Sequence, residues 1–296
     1  MAGERKQANW GWLFISPALV HLLVFAIFPI AYAFGLSLFH TRLVRTEKAF
    51  AGADNYTFAL GEPSFLNALW NSAKYALLSV PLGIAVALGV AILVNQKLRG
   101  VTLFRTLYYI PAIASGVAIA MLWIYVYLPE TGMINSGLNL LGIDNKTDFL
   151  NKVEWAMIAV VVMSVFTGLG PRMVLFLAGL VGIPQELYEA GALDGATGQR
   201  AFWRITLPML IPTTFFVVVT STISALQIFT PIYMMTKGGP EESTDVVGFH
   251  IYTEAWVNFN TGLASAKSFV LLAAIAAISL VQFRMMRSKL QGYSAS

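Results

Sequence analysis

The 296-residue chain contains no cysteine, which excludes disulfides, iron-sulfur clusters and thiolate zinc sites and leaves its redox compartment undecided. Charge is scarce too, since only 11% of residues are Asp, Glu, Lys or Arg. Histidine occurs three times, at His21, His40 and His250, without ligand spacing, and each reads as a packing or interfacial residue rather than a metal ligand. No G-x-x-x-x-G-K-[ST] phosphate loop, nucleophile elbow or H-E-x-x-H pair is present, so the residues offer neither an ATP site of the usual kind nor a hydrolytic centre. The longest apolar runs lack Asp and Glu, the groups with which many ion-coupled carriers move protons or sodium.

What remains is apolar. Hydrophobic residues make up 57% of the chain and the mean hydropathy is +0.69, values that a soluble domain of this size does not reach. Six runs, at about 12–39, 73–94, 107–128, 155–181, 208–235 and 267–283, approach or exceed the roughly 20 helical residues that cross a bilayer. Ala31-Tyr32-Ala33 imitates a signal-peptidase site, but the first run is too long for a signal segment and continues past it, so it reads as a retained helix. The expectation is an all-α polytopic membrane protein: a tail at 1–11, a six-helix domain at 12–283 and a second tail at 284–296. The net charge of +4 comes from Lys and Arg at the ends of apolar runs, not from a basic stripe with stacking aromatics, so no nucleic acid is expected as a partner. Glu4-Arg5-Lys6, Lys97 and Arg99, Arg200 and Arg204, and Arg284, Arg287 and Lys289 mark one side, with Arg42, Arg45 and Lys48 opposite them. The charge bias predicts both termini in the cytoplasm.

One polar segment interrupts the apolar second half: residues 183–208, IPQELYEAGALDGATGQRAFWRITLP. Pro184 suits a first helical turn, Glu186 and Glu189 complement the positive helix end, and Gly195 offers a stop. The stretch beyond it, with Arg200, Phe202, Trp203, Arg204 and Ile205, has interfacial composition. Glu189-Ala190-Gly191, three residues, Gly195, nine residues, Ile205, one residue and Leu207-Pro208 resemble the EAA loop of binding-protein-dependent ABC importer permeases. Gly191 stands where that family prefers alanine, which weakens helix propensity by about 1 kcal/mol.

The resemblance extends along the chain. Phe50 to Tyr56, FAGADNY, then Pro63-Ser64-Phe65 and Ala68-Leu69-Trp70-Asn71-Ser72 resemble the segment after the first helix in permeases of the maltose and glycerol-3-phosphate type. Thr236-Lys237-Gly238-Gly239-Pro240, with Thr244 and Ile251-Tyr252, resembles their loop before the last helix. This likeness implies a type I importer permease fold in a bacterial or archaeal cytoplasmic membrane, and the first of two non-identical permeases in a carbohydrate importer. It further implies a second permease, an ABC ATPase dimer that holds ATP and Mg, and an extracytoplasmic solute-binding protein, with no cofactor on this chain. Glu186, Glu189, Ala190, Gly191, Asp194 and Gly195 are the expected ATPase contact.

The solute is marked more faintly. Thr220, Ser224 and Gln227 fall at i, i+4 and i+7 of the fifth run, and Phe229 and Tyr233 offer aromatic surface nearby; interhelical hydrogen bonding accounts for the three polar residues equally well. Ser115 and Trp123 are weaker candidates. Arg172 lies inside the fourth run, where an arginine costs about 2.5 to 3.5 kcal/mol on insertion scales. It faces a wet path and favours an anionic solute, such as a phosphorylated polyol or a uronate saccharide, or else it pairs with another subunit or caps a helix break at Pro171. Small residues at helix-packing spacing, Ala112, Gly116 and Ala120 in the third run and Ala273 and Ala277 in the sixth, read as close-packing faces. A self-contained carrier or channel is the other reading of six spans with a polar stripe, but it leaves the spacing within 183–208 without a reason.

Overall fold

The computed structural model of the protein describes residues 14–42, 45–96, 100–142 and 146–291. The tail at 1–11, Lys97, Arg99, Asp144 and Asn145 lie outside the described residues, as do the side chains of Arg45, Lys48, Arg287 and Lys289. Helices dominate, and the chain divides into two compact units, one of residues Met1–Glu62 and Ile251–Ala273, the other of Pro63–His250 and Ala274–Ser296.

In the first unit, helix α1 (Phe14–Ser37) contains a π-helical turn at Leu23–Ile27. A short antiparallel hairpin of β1 (Phe39–Arg42) and β2 (Arg45–Phe50) follows, an addition to the all-helical expectation. Helix α2 (Asp54–Gly61) comes next. The FAGADNY segment ties this corner together: Asn55 donates from Nδ2 to the carbonyls of Ser37 and Phe39 (2.8 and 3.0 Å), and the Tyr56 and Ser37 hydroxyls share a 2.6 Å hydrogen bond. The last helix, α14 (Thr261–Gln291), begins here against Thr41, and Gly262 leaves no room for a Cβ beside the Phe39 carbonyl. Lys267, fully buried, pairs with Glu62 at 2.7 Å and Glu254 at 3.1 Å, as a buried cation must.

The second unit is organised by α3 (Pro63–Val94), which starts ten residues earlier than the run of apolar residues suggests because Pro63 is tolerated in a first turn. One face of it is buried throughout: Asn71 and Ser72, then Tyr75 and Ser79, then Gly83, then Ala87, Ala91 and Val94. The third apolar run is two helices, α4 (Val101–Ile113) and α5 (Gly116–Val126), bent by 102° at Ala114 and Ser115, whose backbone is extended. Ala112 is thereby separated from Gly116 and Ala120, so the expected small-residue row does not form one face. Asn135 of α6 (Met133–Leu140) donates to the carbonyls of Leu128, Pro129 and Thr147, fixing the next connection.

The fourth run is α7 (Val153–Thr167) and α8 (Leu169–Val181), bent by 50° at Gly168. Pro171 explains the break, since its ring clashes with the carbonyl four residues back and supplies no N–H to it. After α9 (Gln185–Leu193) and α10 (Gln199–Met209), which is π-helical at Phe202–Thr206, a 64° bend at Leu210 precedes α11 (Ile211–Leu226), again ahead of a proline, Pro212. The fifth run therefore ends at Leu226, and its remainder forms the separate α12 (Thr230–Met235). Helix α13 (Val247–Tyr252) then leads through a π-helical Thr253–Val257 into α14. Among the described residues, three helices are long and apolar enough to cross a membrane, and six spans result if each bent pair is one.

Met173, Phe176 and Leu180 of α8 pack with Ala87 and Ala91 of α3 and Val217 of α11 to form the main core. Glycine permits the closeness: a Cβ on Gly179 would sit 2.6 Å from Thr213 Oγ1, and one on Gly170 2.6 Å from the Tyr108 carbonyl oxygen. Two stretches noted for family likeness meet here. Asn71 Nδ2 donates to the carbonyls of Glu242 and Asp245 (2.8 and 3.0 Å), and Ser72 Oγ accepts the Val247 N–H (2.9 Å). The loop they hold is further closed by Thr244, whose hydroxyl reaches Thr236 Oγ1 and the Gly239 carbonyl, both at 2.7 Å. Ala273 and Ala277 of α14 are exposed on this chain.

Candidate functional site

Two places gather most of the candidate residues. The first is the 183–208 segment. Pro184 is the N-cap of α9, with Gln185 the first helical residue and Glu186 in the first turn. Its end is built from glycine: Gly195 takes φ +74°, its N–H reaches the Ala192 carbonyl (3.1 Å), and the Ala196 N–H returns to the Gly191 carbonyl (2.7 Å). That is a Schellman stop, which a residue with a side chain would strain. Glu186, Glu189, Ala190, Asp194 and Gly195 are exposed, and Leu193 is 92% exposed. The opposite side of α9 is pinned. Tyr188 and Thr206 share a 2.9 Å hydrogen bond, and a Cβ on Gly191 would lie 2.5 Å from Ile205 Cδ1. The glycine that departs from the family preference thus sits where α9 crosses the π-helical turn of α10.

The second place is a cavity of ≈ 260 Å³ in the second unit. Helix α3 supplies Tyr75 and Ser79, α7 supplies Ser164 and Thr167, α8 supplies Arg172 and α11 supplies Ser224, with Ile228 and Pro231 as apolar wall. Arg172 lies in the first turn of α8, one residue past Pro171, so the break at Gly168 determines where it is presented. Its Nε donates to Ser221 Oγ at 3.1 Å, while Nη1 is buried with no hydrogen-bond acceptor. Room for the guanidinium is made by two glycines, since a Cβ on Gly83 would lie 2.5 Å from Nη1 and one on Gly168 2.8 Å from it. Among the described residues no carboxylate lies within ion-pairing distance of Arg172.

Of the residues expected at the solute, Arg172 and Ser224 line this cavity, while Thr220, Gln227, Phe229 and Tyr233 do not. Thr220 is exposed and its hydroxyl turns back to the Phe216 carbonyl (2.8 Å). Gln227 is the exposed C-cap of α11, so the i+7 alignment with Thr220 stops at the helix end. Phe229 and Tyr233 stack on each other at 5.4 Å. Of the residues not anticipated, Tyr75, Ser79 and Gly83 lie at i, i+4 and i+8 on one face of α3, whereas Ser164 on α7 and Gly168 in the break reach Arg172 only across the 50° bend, where helical spacing gives no common face. Tyr188 and Thr206 carry no such signal, because their pairing depends on how α9 folds back.

The sequence profile described as "Binding-protein-dependent transport system inner membrane component" matches residues 79–288. Among relatives, the probable ABC transporter permease protein YesP of Bacillus subtilis is 35% identical over 284 residues, covering 95% of this chain and 91% of that one. The sn-glycerol-3-phosphate transport system permease protein UgpA of Rhizobium meliloti is 34% identical over 280 residues, 94% of each. A chain from the crystal structure of a bacterial ABC transporter involved in the import of the acidic polysaccharide alginate superposes with a TM-score of 0.84 at 24% identity, covering 97% of this chain and 98% of the other, and it shares the fold. Profile and relatives run across the bent spans, the pinned α9 and the α3 face alike, and the chain belongs to the family of binding-protein-dependent transport system inner membrane components.

Proposed function

We propose that this chain is the first of two permeases in an ATP-driven importer and forms half of the path for a sugar or sugar-like solute. The observation that carries this reading is the exposed, glycine-stopped α9, pinned on its other side to α10 by the Tyr188–Thr206 hydrogen bond. A short helix held that way transmits a push to α11, which follows α10 after one bend and carries Ser224 into the cavity. Glu186, Glu189, Ala190, Gly191, Asp194 and Gly195 meet the partner ATPase, which holds ATP and Mg. Nucleotide then selects between two packings of the bent helices, facing out and facing in. The carbohydrate class draws on relatives such as the sn-glycerol-3-phosphate permease UgpA and on the alginate transporter, a structure of which is in complex with an alginate pentasaccharide-bound periplasmic protein. A comparable extracytoplasmic protein delivers solute here, with both termini and the 183–208 loop in the cytoplasm of a bacterial or archaeal cell.

The test is co-purification. The tagged chain, extracted in mild detergent from its native host, is expected to bring a second six-span permease, an ATPase and a binding protein, identified by mass spectrometry. Reproducible recovery of the folded chain alone overturns the reading in favour of a self-contained carrier.

A further inference from the structure

The cavity makes a demand that a neutral sugar does not meet. Its one charged side chain is a guanidinium held at a single bond, Nε to Ser221 Oγ, with Nη1 buried and without an acceptor. A cap on the broken helix would direct Arg172 to a backbone carbonyl, but its bond goes to a hydroxyl instead. The space the group occupies exists because position 83, on α3, and position 168, at the break between α7 and α8, are glycine. Around it stand hydroxyls that accept or donate as required, from Tyr75, Ser79, Ser164 and Ser224. A half-buried cation whose Nη1 is buried without an acceptor, and which among the described residues has no carboxylate within ion-pairing distance, prefers an oxygen anion.

We infer that Arg172, seated in the Gly83 and Gly168 notch, reads an oxyanion on the solute, a carboxylate or a phosphate, while the surrounding hydroxyls read its polyol part. This inference rests on the importer reading and adds the charge of the solute to it. Guanidinium presents a fork of N–H donors, so one oxygen of the anion takes Nη1 and the second remains for a hydroxyl of the wall. The arrangement discriminates by charge first, because a neutral ring leaves Nη1 buried and unmet.

The test measures equilibrium binding to the purified permease complex without binding protein, so that the delivery protein's own selectivity does not enter. Two charged probes, a galacturonate disaccharide and sorbitol 6-phosphate, are compared with galactobiose and sorbitol. Wild-type complex is expected to bind at least one charged probe about tenfold or more tighter than its neutral counterpart. Arg172→Gln abolishes that preference, Arg172→Lys keeps part of it, and Gly83→Ala weakens it while retaining the charge. Equal binding of charged and neutral probes, binding of none of the four, or a preference that survives Arg172→Gln overturns the inference. So does unchanged preference with reduced recovery of the complex, which assigns Arg172 to subunit pairing. Each measurement is made in phosphatidylcholine nanodiscs with and without phosphatidylglycerol, and a preference seen in only one of the two assigns the guanidinium to an anionic lipid headgroup and also overturns it. Co-purification of ATPase and second permease with no charge preference removes this inference alone; their absence removes the importer reading beneath it.

Discussion

The 183–208 segment and the Arg172 cavity are built in opposite ways. Every bond that shapes α9 comes from within the segment itself: the Schellman stop joins Gly191, Ala192, Gly195 and Ala196, and the pin joins Tyr188 to Thr206. The cavity draws its polar wall from Tyr75 to Ser224, on four helices, and none of those helices holds the site alone. A locally determined element can be recognised by an outside partner in any state of the permease, whereas a site shared among four helices changes shape whenever they move. That contrast suits the proposed transport cycle, in which α9 is a handle that keeps its form and the cavity a binding site that does not.

The largest effect is expected where the handle is broken. Gly195→Glu places a charged side chain at φ +74°, where a non-glycine residue costs roughly 1–2 kcal/mol and where we propose the contact with the ATPase. Uptake by the complete importer should fall by about tenfold or more, with ATP hydrolysis still running and the chain still inserted. Normal uptake by this variant would show that the segment is an ordinary loop. Next in size is a defect near the N-terminal end of α3. Asn71→Ala takes the side-chain donor from the Asp245 carbonyl and one of three donors from the Glu242 carbonyl, which keeps Asn67 Nδ2 and the Asp245 N–H, at a cost of about 1–3 kcal/mol. The melting temperature of the purified complex should drop, while protease sensitivity within 183–208 stays as it is. Increased cleavage there would mean that the handle is not locally determined.

How much of this was legible in the sequence follows the same divide. The 183–208 segment could be read because its signals are adjacent: Pro184 to start, Glu186 near the start, Gly195 to stop. The membrane class was equally plain, since apolar runs need no tertiary knowledge. The bends were less visible. Pro171 and Pro212 announce two of them, but the 102° turn at Ala114 and Ser115 has no proline at its corner. The cavity was the least readable. Arg172 stood out by its cost in lipid, yet Tyr75, Ser79 and Ser164 look like ordinary packing hydroxyls until α3 and α7 are brought beside α8. Thr220 and Gln227 looked like a polar face because helical spacing was carried past Leu226, where α11 ends.

A smaller effect tests how the handle is joined to the spans. Tyr188→Phe removes only the hydrogen bond to Thr206, worth about 0.5–1.5 kcal/mol. Helix α9 keeps its cap, its stop and its exposed Glu186, Glu189 and Asp194, so docking at the proposed ATPase contact is expected to persist. The ratio of ATP hydrolysed to solute imported should rise a few-fold, with recovery of the ATPase unchanged. An unaltered ratio would place the mechanical link elsewhere, at the Gly191 crossing.

That crossing yields the smallest and sharpest expectation. Alanine at 191 raises helix propensity by about 1 kcal/mol, but its Cβ meets Ile205 Cδ1 at 2.5 Å, so Ile205 must change rotamer, at about 0.5–1.5 kcal/mol. The two terms nearly cancel, and Gly191→Ala alone should shift the melting temperature of the complex little in either direction. Ile205→Val deletes the obstructing methyl. In that background Gly191→Ala keeps its propensity gain without the clash and should stabilise by about 1 kcal/mol more than it does beside isoleucine, a coupling that a double-mutant cycle on melting reads directly. Additive effects at the two positions would mean that α9 and the π-helical turn of α10 do not touch there, and that glycine is tolerated at 191 rather than required by the crossing.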